Sequence, residues 1–364
     1  MRCRVCNKRL AARVIGVCAE CLRQGDEVEF AARIHPPTRR QFGLPEAVPH
    51  AASGRKCSLC ANECRIGPGQ RGYCGLRENI GGRLVSHAGV WQVGYVQWYY
   101  DPLPTNCVAS WVCSEGEASE AFHDPRRRPW HRQNNLAVFY EACTFNCLFC
   151  QNWTFRLAHR TPHAMSAAEL AGCVDERTAC VCFFGGDPAA QMLHALKTAE
   201  TVPARRPEPV RICWETNGNM NGTLARRAAE ISLRSGGCVK FDLKAWDSGL
   251  HRCLTGASNR RTLENFRMVA DLGKGCRQPP LVIASTLLVP GYLDDAEIAG
   301  LARFIASIDP EIPYVLLAFH PDFYLQDLPP TSHAHAERAL AICHEAGLQN
   351  IRVGNRHTLS PANY

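Results

Sequence analysis

Residues 135–150 read Asn-Leu-Ala-Val-Phe-Tyr-Glu-Ala-Cys-Thr-Phe-Asn-Cys-Leu-Phe-Cys, a short apolar run that opens into three closely spaced cysteines. The run from Leu136 to Tyr140 has the length and character of a buried strand. Cys143, Cys147 and Cys150 follow it at C-x3-C-x2-C spacing. Three thiols so placed can close on one face of an iron-sulfur cube and leave its fourth iron without a protein ligand. Four cysteines around a metal serve structure or electron transfer, whereas three leave a position open for an exogenous ligand, as catalytic sites do. A structural zinc loop or reduced thiols in a core are the alternatives, but a closed zinc site needs a fourth ligand and none lies nearby in sequence.

Downstream, the same grammar repeats. Apolar runs at Cys180–Phe184, Val210–Trp214, Val239–Leu243, Leu281–Val289 and Tyr314–Phe319 alternate with helix-period segments. Ser166 with Glu169 forms a capping box at the head of one helix. In another, Asp294–Ser307, Ile298, Leu301, Phe304 and Ile305 share a face. Strands alternating with helices make parallel β/α units, whose right-handed crossovers curl a sheet into a barrel or part of one; a doubly wound open sheet is the alternative. The expected fold is α/β, a partial TIM-like (β/α)6 barrel over residues 135–364. Sites in such barrels lie in the loops after the strands. The unusual residues fall there: Gly185-Gly186-Asp187-Pro188, Glu215-Thr216-Asn217-Gly218, Asp242 with Lys244, Pro290-Gly291 and His320-Pro321.

Upstream, Cys3, Cys6, Cys18 and Cys21 form two C-x2-C knuckles, a spacing suited to a zinc-ribbon-like tetrahedral zinc site over residues 1–34, with a rubredoxin-like iron site as the alternative. Residues 35–56 are rich in loop formers and read as a linker. Residues 57–134 hold a second group, Cys57, Cys60, Cys64 and Cys74, for zinc or a second cluster, a choice that spacing does not settle and that leans slightly to zinc. Arg83–Val85 and Val90–Val96 alternate like strands of a small antiparallel unit, which Asp101-Pro102-Leu103-Pro104 should end. The segment on to Gln133, with the acidic stretch Glu115–Glu120 and Arg126–Arg128, reads as loop packed on the larger domain. Its Cys107 and Cys113 read as buried or free thiols, with metal ligands or substrate-facing thiols as the alternative.

Of the 364 residues, 46% are hydrophobic, enough for a large domain and a smaller one. No leader-like segment opens the chain and no apolar stretch reaches membrane-spanning length, so a cytoplasmic location and no membrane contact are expected. In that compartment thiols stay reduced, and 21 cysteines point to metal ligation rather than disulfides. The net charge of +7 comes from arginine clusters at 39–40, 126–128, 205–206, 226–227 and 260–261, which read as solvated faces. Aromatic residues do not interleave with them, which disfavours a nucleic-acid surface.

The order Cys143-Thr-Phe-Asn-Cys147-Leu-Phe-Cys150, then Phe-Gly-Gly-Asp-Pro, Glu-Thr-Asn-Gly, Phe-Asp-Leu-Lys, Leu-Val-Pro-Gly and Ala-Phe-His-Pro, resembles the radical S-adenosylmethionine superfamily. More narrowly it resembles the branch similar to pyruvate formate-lyase-activating enzymes. The resemblance implies a [4Fe-4S] cluster on the three cysteines and S-adenosylmethionine on the open iron. Reductive cleavage to a 5′-deoxyadenosyl radical and hydrogen abstraction from a protein or peptide would follow, with an electron donor such as flavodoxin or ferredoxin. It implies cofactor contacts at Phe149, Gly185, Gly186, Asp187, Lys244 and His320, and places Glu215, Thr216 and Asp242 where relatives hold a monovalent cation. Glu215 stands where aspartate is usual. Radical modification of a small molecule or RNA, and a non-catalytic metal or electron-transfer protein, are the other readings.

Overall fold

The computed structural model describes residues 1–364 except 26, 104–106, 114–132, 161, 203–208 and 277. The acidic stretch at 115–120 and the arginine clusters at 126–128 and 205–206 therefore lie outside the described residues. Two short antiparallel pairs come first, β1 (Arg55–Lys56) with β2 (Arg65–Ile66) and β3 (Arg77–Ile80) with β4 (Arg83–Ser86). The later strands are β5 (Gly94–Pro102), β6 (Asn134–Tyr140), β7 (Ala164–Met165), β8 (Thr178–Gly185), β9 (Arg211–Thr216), β10 (Val239–Asp242), β11 (Val282–Leu288), β12 (Tyr314–Ala318) and β13 (Ile351–Gly354). Among the described residues they form one nine-stranded sheet, ordered β13-β12-β11-β10-β9-β8-β6-β5-β7.

From β6 to β13 every neighbouring pair is parallel, and the spatial order follows the chain without reversal. Adding each strand to the same edge through right-handed crossovers keeps the helices on one face. That winding belongs to a partial barrel, and it lacks the switch point of a doubly wound sheet. All the apolar runs read from the sequence are strands of this array. β13 escaped that reading because it is four residues long and buries only Val353 fully.

β5 departs from the expected small unit. It runs through Pro102 and pairs antiparallel with β6, from Val96 opposite Tyr140 to Pro102 opposite Asn134. The pairing covers the edge of β6 that would otherwise present unpaired backbone. Pro102 is tolerated because it is the last residue of the strand.

Period-2 alternation sorts side chains between two faces. Phe183 stacks on Trp214 at a centroid separation of 4.6 Å under the helices. On the inner face Cys182, Cys213, Cys238 and Ile283 pack with Ala109, so the loop around Cys107 plugs the lumen. Cys107 is a free thiol packed against this cluster, as expected, and Lys240 Nζ donates to its Sγ at 3.1 Å and to Glu215 Oε1 at 2.6 Å.

The N-terminal knuckles dock on the loop after β11. Ala12 N donates to Tyr292 Oη (2.9 Å), which donates to Val17 O (3.1 Å), and Arg23 pairs with Asp294 (2.5 Å) and Glu297 (3.1 Å). A Cβ on Gly291, whose φ is +80°, would meet Leu10 O at 2.7 Å. The Pro290-Gly291 loop, expected at the site, thus seats the N-terminal region. The stretch from residue 35, expected as linker, instead continues a helix, Glu27–Arg40. Its prolines hid the helix, which packing secures: His35, Thr38 and Arg39 are buried, with Arg39 over the Tyr73 ring. Arg39 is thus no solvated charge, whereas Arg40 pairs with Glu46 and Arg227, Arg260 and Arg261 pair with glutamates on exposed faces as expected.

Burial lowers the pKa values of His35, His194 and His251 to about 4. An unfolded histidine titrates near 6.5, so between about 6.5 and 4 the unfolded chain binds more protons. The stability they contribute is complete above pH 6.5 and is lost as pH falls through 4. The urea midpoint should drop markedly from pH 7 to pH 4.5, and less in a His194→Gln chain; a midpoint independent of pH contradicts the buried neutral histidines.

Candidate active site

The loop after β6 is clamped by backbone on both sides. Asn146 N donates to Thr255 O (2.7 Å), Leu148 N to Leu254 O (3.0 Å), and Tyr324 N to Leu148 O (3.0 Å). Asn146 Nδ2 reaches His35 Nδ1 and Thr38 Oγ1, both at 2.8 Å. Phe145, Leu148 and Phe149, the residues between the cysteines, are buried. With those side chains driven inward, Cys143, Cys147 and Cys150 turn into one pocket with Phe149, Arg156, Gly185, Gly186, Asp187, Asn217, Asp242 and Lys244.

Burial pushes all three thiols up, Cys147 to about 12 despite the nearby Lys244 ammonium. Bare thiols here stay protonated, and a thiolate requires a bound metal. Cys143 Sγ accepts from Phe145 N (3.3 Å) and Asn217 Nδ2 (3.6 Å), donors that would support a metal-bound sulfur.

Gly185 and Gly186 line the pocket, but their missing Cβ atoms first serve the strand beneath. A Cβ on Gly185 would lie 2.5 Å from Tyr140 N, and one on Gly186 would lie 2.4 Å from Ala142 O. Gly186 N and Asp187 N donate to Tyr140 O and Ala142 O at 2.7 and 2.8 Å, fixing this turn to the cysteine loop. Asp187 then ties it to the next loop. Its Oδ1 accepts from Ala189 N (2.7 Å) and Thr216 Oγ1 (3.0 Å), and its Oδ2 from Asn217 N (2.6 Å). Burial raises its pKa to about 7 against those hydrogen bonds.

Lys244 Nζ bonds Asp242 Oδ2 at 2.7 Å and sits 5.9 Å from the Phe149 ring centroid. Ser285 Oγ holds the other Asp242 oxygen at 2.8 Å. Against the pull of burial, Asp242 keeps the ammonium charged.

Phe149, Gly185, Gly186, Asp187, Asp242 and Lys244 therefore converge with the three cysteines as the sequence suggests. Three expected residues do not. Glu215 points into the lumen and pairs with buried Lys240, because β9 alternation sends it to the face opposite Trp214 and Thr216. Thr216 is buried beneath the loop, held by Asp187 and by Gly218 N (3.1 Å). His320 is exposed, its ring contacting Pro321 O. A cation centre at Glu215, Thr216 and Asp242 is not assembled by this geometry.

Sequence reasoning missed Arg156. Its guanidinium is buried among the rings of Phe42, Phe155 and Phe323, its Nε has no partner, and its charge opposes the rise at Cys147 and Cys150. A lone arginine in Trp153–Arg160, a 3-10 turn, carries no motif; only its closeness to Cys150 marked it. Asn217 was visible as part of a turn but not as a donor to sulfur.

Three thiols at the strand ends of a partial barrel thus share one pocket with a Gly-Gly-Asp turn. Residues 137–305 match the Radical SAM superfamily model, with a cysteine-rich region N-terminal to the match. An uncharacterized protein of Methanocaldococcus jannaschii is 26% identical over 305 residues, covering 82% of this chain and 81% of that one. The isethionate sulfite-lyase activating enzyme of Desulfovibrio desulfuricans is 34% identical over 139 residues, covering 37% of this chain and 40% of its own length. Escherichia coli pyruvate formate-lyase 1-activating enzyme is 26% identical over 190 residues, 50% of this chain and 73% of that enzyme.

Replacing Asp187 with Ala strands Ala189 N, Asn217 N and the Thr216 hydroxyl in a buried place. At about 1–3 kcal/mol per unsatisfied buried group, the loss should reach about 3 kcal/mol or more in urea unfolding. A cost below about 1 kcal/mol contradicts the pinning role.

Proposed function

We propose that this protein is a radical SAM enzyme that reductively cleaves S-adenosylmethionine and abstracts hydrogen from a protein or peptide substrate, as an activating enzyme does. The observation that carries the reading is the convergence of Cys143, Cys147 and Cys150 with Lys244, Asp242 and Arg156, whose Nε has no hydrogen-bond partner among the described residues, in one pocket. Three soft ligands with no fourth, buried beside two cations, fit an anionic cluster with an open iron. Cys143, Cys147 and Cys150 would hold the [4Fe-4S] cluster, which with S-adenosylmethionine supplies one-electron cleavage of a carbon-sulfur bond and a carbon-centred oxidant.

The remaining work belongs to the chain. Lys244, oriented by Asp242, offers an ammonium to the carboxylate of a methionine moiety, and Phe149 supplies an apolar face. Arg156 offsets cluster charge in a site where water does not screen it. An electron donor of the flavodoxin or ferredoxin class would serve the cluster.

The small-molecule alternative rests on a second cavity that shares Gln151, Asn152 and Asp242 with the first and is lined by Trp111, Arg352, Arg356 and His357. An anionic substrate would fit those charges.

Cys3, Cys6, Cys18 and Cys21 fit structural zinc. All four Sγ atoms lie within 4.8 Å of one another, with Cys6 and Cys18 at 3.9 Å. Tetrahedral Zn–S bonds of about 2.3 Å place sulfurs about 3.8 Å apart. The site would fix the knuckles that dock on Tyr292.

Anaerobic reconstitution with iron and sulfide, then dithionite and S-adenosylmethionine, should release 5′-deoxyadenosine and methionine; a loaded protein that releases neither overturns the proposal. Cys143→Ala should abolish the reaction and leave N-terminal zinc in place. Lys244→Met should keep the cluster but weaken S-adenosylmethionine binding about ten- to a hundredfold, the worth of a charged hydrogen bond. Unchanged affinity by equilibrium dialysis would remove Lys244 from the cofactor site.

A further inference from the structure

Cys57, Cys60, Cys64 and Cys74 line one small cavity with Arg77 and Thr144. The local fold brings them together. Cys57 N donates to Cys64 O (2.8 Å) across the β1–β2 hairpin, and Tyr73 N donates to Cys64 Sγ (3.4 Å). Cys60 lies on a bridge to Met220, with Ala61 N bonded to Asn219 O (2.9 Å). Burial pushes the Cys57, Cys60 and Cys64 thiols up, and Cys74 pushes each of them further.

Arg77 supplies an independent sign of an anion. It is 2% exposed, its Nη1 and Nη2 donate to Ala190 O (3.0 Å) and Gly89 O (3.2 Å), and its Nε has no partner. Its hydrogen bonds go to backbone carbonyls, and among the described residues it has no carboxylate partner. A counter-charge stabilises a buried guanidinium, and a thiolate-ligated metal centre beside it carries one.

Spacing distinguishes a single ion from a cube. Among the described residues, the N-terminal four cysteines form the one set of three or more candidate ligands whose atoms all lie within 4.8 Å of one another. The Cys57 set faces a common cavity but does not close so tightly, and neither does the Cys143 set. A cube holds each thiolate on a different iron, so its sulfurs stand farther apart than those around one zinc. The comparison rests on the Cys143 set being a cluster site, as proposed above.

We infer that Cys57, Cys60, Cys64 and Cys74 hold a second [4Fe-4S] cluster, fully ligated by cysteine and serving electron transfer. With no open iron it cannot take S-adenosylmethionine. Asn62 Nδ2 donates to Thr144 O (2.9 Å), the residue after Cys143, so the two cysteine groups sit back to back. A low-potential one-electron donor would reduce this cluster, which would pass that electron to the first and return to its oxidised state.

The test uses the full-length chain, anaerobically reconstituted with iron and sulfide and supplied with zinc. Wild type should carry about eight irons and one zinc per chain. A Cys143→Ala/Cys147→Ala/Cys150→Ala variant should keep about four irons and give, after dithionite, a [4Fe-4S] electron paramagnetic resonance signal that S-adenosylmethionine does not alter. Adding Cys60→Ser and Cys74→Ser should remove that iron and leave the N-terminal zinc, which reports a folded chain. A triple variant with two zincs and no iron overturns the inference. Iron kept by the triple variant but absent from a Cys60→Ser/Cys74→Ser chain would overturn the Cys143 reading and leave this one standing.

Discussion

Everything in the barrel half depends on how the segment after β6 is forced to bury Phe145, Leu148 and Phe149 while the cysteines between them face a common space. Spacing of thiols along a chain does not by itself create a site. Here the backbone of Asn146 and Leu148 is paired with the end of the Ser248–Thr255 helix, which removes the loop's freedom to turn its cysteines elsewhere. The glycine turn after β8 is locked to the same loop through Tyr140 O and Ala142 O, and Asp187 locks that turn to the loop after β9. Three successive strand ends thus form one rigid rim, and the side chains able to hold a cofactor project from it.

The cysteine-rich extension continues that logic. The N-terminal knuckles grip the loop after β11, the helix Glu27–Arg40 sends His35 and Thr38 onto Asn146, and the Cys57 segment pairs with the loop after β9. The Cys143–Cys150 loop is therefore braced from behind as well as from the barrel. Among the described residues no helix is long and apolar enough to cross a membrane.

Much of this was legible in the sequence because it is written in local patterns. Apolar runs separated by helix-period segments gave the parallel strands from β6 to β12, and the capping box at Ser166 and Glu169 is present as read. The cysteines, the glycine pair, Asp187, Asp242 and Lys244 were found because strand ends put them at one rim. What was missed depends on long-range contacts. Arg156 gains meaning only from rings at 42 and 323; Glu215 changes role because Lys240 on the adjacent strand lies opposite it. Helical residues 35–40 read as linker because two prolines erase the period, and burial against Cys253 and Asn146 supplies what local propensity lacks.

The central claim is that the open iron of the Cys143 cluster is completed by S-adenosylmethionine. The most direct measurement is the electron paramagnetic resonance spectrum of the dithionite-reduced protein with S-adenosylmethionine carrying oxygen-17 in its carboxylate. The account predicts a shifted cluster signal with hyperfine coupling to that oxygen, absent from Cys143→Ala. A spectrum unchanged by the cofactor, with no coupling, would contradict it.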